Sequence, residues 1–212
     1  MKSDDMGLGS ARMVLYGLFR SFFDSSPSEE KVEYWKSLLG ALHEGTGFHE
    51  LDEAVSAMKA LLDERDLVQI KNEFYELFEN PFSSNRLQLC ASYYIDGKLM
   101  GMSLVKLRKL LYNLSLGKVD GFTETEDHLV FLLDAMMHLI EREEQGDDSA
   151  RKGQVAILED YLTPCIEGVG RALSQSGNFP FYESAVRMGR AILELEKNLF
   201  PQRYSENLQE GQ

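Results

Sequence analysis

The sequence contains little cysteine, and this scarcity excludes the disulfide-dense folds of small secreted proteins. Cys90 and Cys165 are the only two cysteines in 212 residues, and neither belongs to a C-x-x-C motif. Each is expected to be a small buried hydrophobic residue in a reducing compartment. Residues 1–5 carry acids where a signal peptide needs basic residues. These absences predict a cytoplasmic protein.

The chain also lacks a long apolar run and an excess of basic residues. The longest apolar run, residues 129–140, is interrupted by Asp134 and His138, and it is far shorter than the roughly 20 residues that span a bilayer. We therefore expect no stable membrane insertion. Because 22 Lys and Arg stand against 35 Asp and Glu, the formal net charge is −13. Nucleic acid is not expected as a partner, since phosphate backbones are bound by clustered Lys and Arg.

Motifs of metal and nucleotide enzymes are missing. The sequence has no H-E-x-x-H motif, and Gly7-Leu8-Gly9 lacks both the preceding strand and the further glycine or lysine of a phosphate-binding loop. A helical metal-dependent hydrolase built around Asp127-His128 remains an alternative function. Few other histidines are available to help such a site, namely His43, His49 and His138. We expect neither a metal nor another cofactor.

Helical signals fill most of the chain, and strand signals are scarce. Apolar residues recur at the i, i+3, i+4 spacing that turns them toward one face of a helix. The pattern predicts an all-α protein, a single irregular domain of about eight to ten helices. The predicted helices cover residues 8–24, 26–42, 48–63, 66–79, 100–114, 123–144, 150–173 and 181–199, with Pro164 kinking or splitting the seventh. Ser26 is expected to cap the second helix, and Asp66 with Gln69 the fourth.

The segments between these helices define the domain organisation. Residues 1–7 and 201–212 are expected to be flexible ends of a helical domain that covers residues 8–200. Pro81 marks a loop over residues 80–85, and residues 91–97 are interpreted as an extended connector that ends in an Asp-Gly turn. Residues 115–123 are the most plausible hinge, so we expect a monomer that can also form a domain-swapped homodimer.

Acidic side chains and a histidine are concentrated at the predicted start of the 123–144 helix. Thr123 and Glu126 fit a capping box, in which each side chain accepts a hydrogen bond from an unpaired backbone N–H. Glu124, Asp127 and His128 would then share one helical face. Such a face is commonly a solvated first turn that complements the helix dipole. The alternative is a binding site for a cationic partner.

Aromatic residues form a second candidate site near the loop at residues 80–85. Phe74, Phe78 and Phe82 follow the i, i+4, i+8 pattern of a single helical stripe. Core packing explains most stripes of this kind. The alternative is a partly exposed aromatic floor for a bound peptide, with Arg108 on a neighbouring helix.

Taken in order along the chain, these motifs resemble the TorD/DmsD family of redox-enzyme maturation chaperones, which is related to NarJ. The resemblance extends from about residue 12 to residue 199. It rests on the F-Y-E-L-F-E-N-P-F segment at 74–82, S-Y-Y-I-D at 92–96, Leu107-Arg108, the acidic-imidazole segment at 124–128, Pro164 and Phe181-Tyr182. Thr125 replaces a proline of the family signature, and Cys90-Ala91 replaces a Pro-Pro pair, which leaves the identity of the client open.

The resemblance implies a function as well as a fold. Members of this family bind the twin-arginine leader peptide or the apo form of a molybdopterin-containing oxidoreductase and delay its export until the cofactor is inserted. Carboxylates suit the leader's two guanidinium groups, and aromatic residues suit its apolar part. The residues expected to bind peptide or client are Phe74, Phe78, Phe82, Tyr94, Arg108, Glu124, Asp127 and His128.

Overall fold

A computed structural model describes residues 7–43 and 45–199. Within these ranges the chain forms ten α-helices and no strand, which confirms the prediction of an all-α protein with eight to ten helices. The bounds are α1 Leu8–Ser21, α2 Glu29–Leu42, α3 His49–Glu64, α4 Leu67–Phe74, α5 Ala91–Asp96, α6 Met102–Asn113, α7 Leu129–Glu144, α8 Asp148–Ile157, α9 Thr163–Gln175 and α10 Pro180–Leu199. The predicted flexible ends lie largely outside the described residues.

A cluster of aromatic side chains forms the centre of the core between α1, α2 and α10. Trp35 stacks on Phe181 with ring centroids 5.2 Å apart, and Phe22 meets Trp35 edge-on at 5.1 Å. All three rings are fully buried. Removing one such ring from a packed core costs about 3–5 kcal/mol, so this cluster fixes how the first and last helices of the domain meet.

The apolar helix α7 forms the other half of the core and packs against α1 and α8. Where α1, α8 and α10 converge, Arg12 is buried with Glu196 and Gln154. Its Nε lies 2.8 Å from Glu196 Oε1, and its Nη2 lies 2.6 Å from Gln154 Oε1. A buried charge is tolerated only when it is paired and hydrogen-bonded, and this network meets both conditions.

The observed N-caps of two helices can be compared with the predicted ones. The capping box of Asp66 and Gln69 is confirmed, with both reciprocal hydrogen bonds present. The second helix begins two residues later than predicted, because Ser28 rather than Ser26 accepts the hydrogen bond from the Lys31 amide. Both results follow from the need of the first helical N–H groups for an acceptor.

One element differs more from prediction. Residues 91–96 form the short helix α5 instead of an extended connector, and Gly97 ends it in the left-handed conformation. The 150–173 helix is split near Pro164, as predicted, into α8, a π-helical turn at Leu158–Leu162 and α9. Pro164 lacks the N–H of a regular helix, and the wider π-helical turn precedes it directly. No helix in residues 7–43 and 45–199 is long and apolar enough to cross a membrane.

Candidate functional site

Asp127 lies at the centre of the predicted acidic-imidazole site, but it is fully buried. Its Oδ2 accepts a hydrogen bond from the Ser92 amide at 2.9 Å, and its Oδ1 accepts one from the Thr125 hydroxyl at 2.5 Å. The Ala91 amide donates to the Asp127 carbonyl at 2.9 Å. Asp127 therefore caps the N-terminus of α5 from a distant part of the chain, as a carboxylate does when it replaces a local cap.

A single antiparallel β-bridge between Cys90 and His128 holds the same two segments together. The Leu129 amide donates to the Leu89 carbonyl at 2.7 Å. These contacts keep residues 125–128 out of a helix, so α7 begins at Leu129 and the predicted capping box of Thr123 and Glu126 is wrong. The buried carboxylate and the bridge outweigh the local helix signal, which is worth only about 1 kcal/mol.

His128 is the true N-cap of α7. Its Nδ1 accepts a hydrogen bond from the Val130 amide at 3.3 Å, which leaves Nε2 to carry the proton of the neutral ring. Burial lowers the pKa of His128, while the charges of Glu124 and Asp127 act in the opposite direction. The ring also meets Phe122 edge-on, with centroids 6.3 Å apart. A neutral imidazole therefore lies beside an aromatic side chain at the start of α7.

The remaining carboxylates of this segment have different surroundings. Glu126 accepts two hydrogen bonds from Arg108, from Nε at 3.0 Å and Nη2 at 2.8 Å. Burial raises the pKa of Glu126, but the Arg108 contacts outweigh it and the net direction is downward. Glu124 is exposed, and Lys118 donates to its backbone carbonyl at 3.0 Å. Glu124, Asp127 and His128 thus do not share a helical face.

The predicted aromatic stripe is divided between core and surface. Phe74 and Phe78 contact each other at 5.1 Å between ring centroids, and Phe78 contacts Tyr182 at 5.0 Å. Phe74 is buried, so the expectation of an exposed floor is wrong for it. Phe82 is 94% exposed. The stripe breaks because α4 passes into a π-helical turn at Tyr75–Glu79 and ends before Pro81.

Tyr94 is half-buried in the contact between α5 and α9. Its hydroxyl donates to the Gln88 carbonyl at 2.7 Å. Its ring lies so close to Gly168 that a Cβ added to this glycine would come within 2.3 Å of it. The contacts of Tyr94 and Asp127 therefore hold α5 in place.

A pocket of about 350 Å³, which no sequence pattern predicted, is lined in part by Phe122, the aromatic neighbour of His128. It lies between α7 and the segment that joins α6 to α7. Phe122 contacts Phe131 inside it, with ring centroids 5.8 Å apart. Glu124 and Asp120 are exposed on the same connecting segment. The pocket is lined by Ser115, Leu116, Gly117, Val119, Phe122, Phe131, Asp134, Ala135 and His138.

The polar end of this pocket carries a carboxylate and an imidazole one helical turn apart. Asp134 accepts a hydrogen bond from Arg20 Nε at 2.5 Å, and His138 is exposed. Elsewhere the lining is largely apolar. Among the residues that the structure describes, no three His, Cys, Asp or Glu side chains are arranged to hold a metal ion. The pocket is thus a small apolar cleft whose lining includes one carboxylate and one imidazole.

Comparison with known proteins assigns the family. The model of the nitrate reductase delta subunit family matches residues 48–168, more than half of the chain. The chain belongs to this family. It is the family of the TorD and NarJ chaperones, so the resemblance drawn from the sequence is confirmed and the hydrolase alternative is not supported.

Individual relatives agree with this assignment. The chaperone protein TorD of Vibrio cholerae O395 is 24% identical over 203 residues, which cover 90% of this chain and 92% of the relative. TorD of the El Tor strain N16961 is 23% identical over 211 residues, covering 94% and 96%. A structure described as a redox enzyme maturation protein from Archaeoglobus fulgidus superposes on this chain with a TM-score of 0.51 at 19% identity. The superposition covers 92% of this chain and 99% of that one, so the two share the same fold. The protein is therefore a TorD-type maturation chaperone and not an enzyme.

Proposed function

We propose that the protein binds the twin-arginine leader peptide, the apo form, or both, of a molybdopterin-containing oxidoreductase in the cytoplasm. By holding this client it assists cofactor insertion and delays export until folding is complete. The proposal builds on membership of the TorD/NarJ family and on the two curated TorD relatives that cover nearly the whole chain. No cofactor of the chaperone itself is part of it.

The pocket between α7 and the α6–α7 segment is the observation that carries this proposal. A twin-arginine leader combines two guanidinium groups with a following apolar stretch. Phe122, Val119 and Phe131 offer apolar contact area for that stretch. Asp120 and Glu124 are exposed two residues before and two residues after Phe122, and carboxylates bind guanidinium groups through charge-assisted hydrogen bonds. The same connecting segment therefore offers both apolar side chains for the apolar stretch and exposed carboxylates for the guanidinium groups.

The residues predicted from the sequence fall into two groups in this proposal, candidates for direct contact with the client and residues of the scaffold. Glu124 lies two residues after the lining residue Phe122, and the His128 ring contacts Phe122, so both are candidates for peptide contact. The exposed Phe82 is a candidate for contact with the client's folded body. Asp127, Phe74 and Phe78 act through the scaffold, because they cap or pack elements that position the site. Arg108 and Tyr94 each have an internal partner and contribute to the scaffold in the same way.

Calorimetric titration with a synthetic twin-arginine leader from a molybdoenzyme of the same organism tests the pocket. We expect Phe122→Ala to weaken binding about tenfold, which corresponds to about 1.4 kcal/mol, because it removes half of the Phe122–Phe131 contact. Val119→Ser should weaken binding by a smaller factor. Val68→Ser, a change of another exposed valine on α4, is the matched control and should leave binding unchanged.

A second peptide, in which the two arginines are replaced by lysines, tests the acidic margin. Lysine keeps the charge but loses the planar fork that binds carboxylates bidentately. The wild type should therefore bind the lysine peptide more weakly than the arginine peptide. For Glu124→Gln this difference in affinity should be smaller. If the wild type binds neither peptide, or if Phe122→Ala binds as tightly as Val68→Ser, the pocket is not the leader site.

A further inference from the structure

One stretch of this acidic protein is strongly basic. Residues 85–119 contain six of the 22 basic residues and only one of the 35 acidic residues, Asp96. The Asp96 carboxylate is also engaged in hydrogen bonds. Its Oδ2 accepts one from the Ser103 amide at 2.9 Å and one from the Ser103 hydroxyl at 2.5 Å. The basic residues are Arg86, Lys98, Lys106, Arg108, Lys109 and Lys118.

The same stretch exposes large apolar side chains. On α6, Met102 is 62% exposed, Val105 57% and Tyr112 83%, and the connection before it carries Met100 at 71%. The α6 residues lie on one face, because positions 102, 105, 109 and 112 are three or four residues apart. Lys106 and Lys109 are exposed on that face, and they form no salt bridge in the part of the chain that the structure describes. We call this face, with Lys98, Leu99 and Met100 before it, the basic apolar face.

The backbone beneath this face is fixed by caps. Asp96 accepts the Ser103 amide in the first turn of α6, and the Met100 amide donates to Ser92 Oγ at 3.1 Å. Gly101 lies so close to Asp96 that a Cβ would come within 2.1 Å of its carboxylate. The exposed apolar residues are therefore presented by a preorganised helical hairpin, whose backbone does not have to become ordered when a partner binds.

We propose that the basic apolar face docks onto the surface of an anionic lipid bilayer. Interleaved lysines and apolar residues on an exposed helix are typical of helices that lie flat in a bilayer interface. From Met102 to Tyr112 the helix extends about 15 Å, long enough for its apolar side chains to enter the headgroup region side by side. Lysine stems lie along the apolar surface while their ammonium groups reach the lipid phosphates.

A bilayer fits this face better than an acidic protein partner does. Protein interfaces are depleted in lysine, whereas anionic lipids attract lysine and arginine alike. The net charge of −13 does not oppose docking. Charges more than about 8–10 Å away are screened at physiological ionic strength, and a chain of this length has a radius of gyration of about 17 Å. The acidic remainder therefore contributes little repulsion when this face meets the lipid.

Co-sedimentation of the full-length protein with vesicles tests the proposal. We expect binding to phosphatidylcholine vesicles that contain about 30% phosphatidylglycerol and little binding to phosphatidylcholine alone. Binding should fall by about tenfold between roughly 50 and 500 mM salt. Lys106→Glu/Lys109→Glu should weaken it at least about tenfold, and Met100→Ser/Met102→Ser should weaken it without changing its salt dependence.

The matched control is Lys71→Glu/Lys152→Glu, which changes two exposed lysines on α4 and α8 and gives the same net charge. It should bind vesicles like the wild type, and circular dichroism should show all variants folded. If the wild type does not bind anionic vesicles, or if the two charge-reversed variants bind these vesicles equally well, the proposal is wrong. Loss of client binding in the Lys106/Lys109 variant, without any vesicle binding by the wild type, would assign the face to a protein partner instead.

Discussion

Asp127 shows how one buried carboxylate can determine the positions of two chain segments. It accepts the Ser92 amide and the Thr125 hydroxyl while its own carbonyl accepts the Ala91 amide. The two amides lie on the buried residues Ala91 and Ser92, and leaving a buried donor without a partner costs about 1–3 kcal/mol. The histidine that follows caps the next helix. The Asp-His pair in this sequence is thus a joint between α5 and α7, and its effect on any binding site is indirect.

Asp127→Ala is expected to lower the free energy of unfolding by about 2–4 kcal/mol, because the buried Ser92 amide and the half-buried Thr125 hydroxyl lose their acceptor. Glu124→Ala, three residues away and exposed, should change it by less than about 0.5 kcal/mol. Urea denaturation followed by circular dichroism measures both values. Equal, small effects of the two substitutions would show that Asp127 does not serve as the cap of α5.

Glu73 is a second buried carboxylate that caps a helix from outside. Its Oε2 accepts the Phe181 amide at 3.0 Å and the Tyr182 amide at 3.4 Å at the start of α10. Its Oε1 is buried without a hydrogen-bond partner. Burial raises the pKa of Glu73 from 4.5 to about 7, although the two amides and the charge of Arg65 oppose the shift.

This raised pKa predicts a specific pH dependence of stability. A carboxyl with a higher pKa in the folded state favours folding while it is protonated, so its contribution is full below about pH 4.5 and is lost as the pH rises through about 7. The loss amounts to roughly 2–3 kcal/mol. Urea denaturation near pH 5 and near pH 8 should show this loss in the wild type and a smaller one in Glu73→Gln. The same slope in both proteins would contradict the prediction.

At the scale of elements, α5 illustrates what local sequence cannot determine. Tyr93, Tyr94 and Ile95 favour an extended chain, yet these residues are helical. The helix is stabilised by Asp127, which lies 35 residues away from Ser92 in sequence, and by packing on α9. The same contact moves the start of α7 to Leu129. Both errors have one cause, a tertiary cap that overrides propensity, whereas local caps such as Asp66 with Gln69 were predictable.

The packing of α5 on α9 gives a prediction for glycine. Alanine is favoured over glycine inside a helix by about 1 kcal/mol, but a Cβ on Gly168 would meet the Tyr94 ring at 2.3 Å. Overpacking of this kind costs about 1–3 kcal/mol, so Gly168→Ala should destabilise the protein by about 1–2 kcal/mol in thermal or urea unfolding. Gly40→Ala on α2, where nothing lies within 4 Å, should stabilise it instead.

At the scale of the whole molecule, periodicity was sufficient for the fold class and insufficient for the pocket. Helical spacing placed most of the helices and their buried faces, because burial of apolar area drives their packing. The pocket forms where the irregular segment between α6 and α7 lies across α7. The course of this segment brings Phe122 into contact with Phe131. Such a segment has no periodicity to detect. Its glycines and the aromatic Phe122 were the only local signals.

The connection between α6 and α7 also determines how two copies could assemble. Ser115 and Gly121 adopt positive φ values of 55° and 90°, so the segment is held in turns that a straightened chain would release. If it extends, α7–α10 of one copy can pack on α1–α6 of another with the same contacts as in the monomer. We therefore expect monomer and dimer to coexist.

Exchange between the two forms should be slow, because α7 must leave α1 and α10 must leave α3, which exposes the core. Size-exclusion chromatography with light scattering at several concentrations measures the populations. Mixing two differently tagged dimers should yield heterodimers only after hours or after brief exposure to mild acid, which speeds partial unfolding. A single species under every condition would rule out the swap, and heterodimers formed within the mixing time would indicate surface association without exchange of helices.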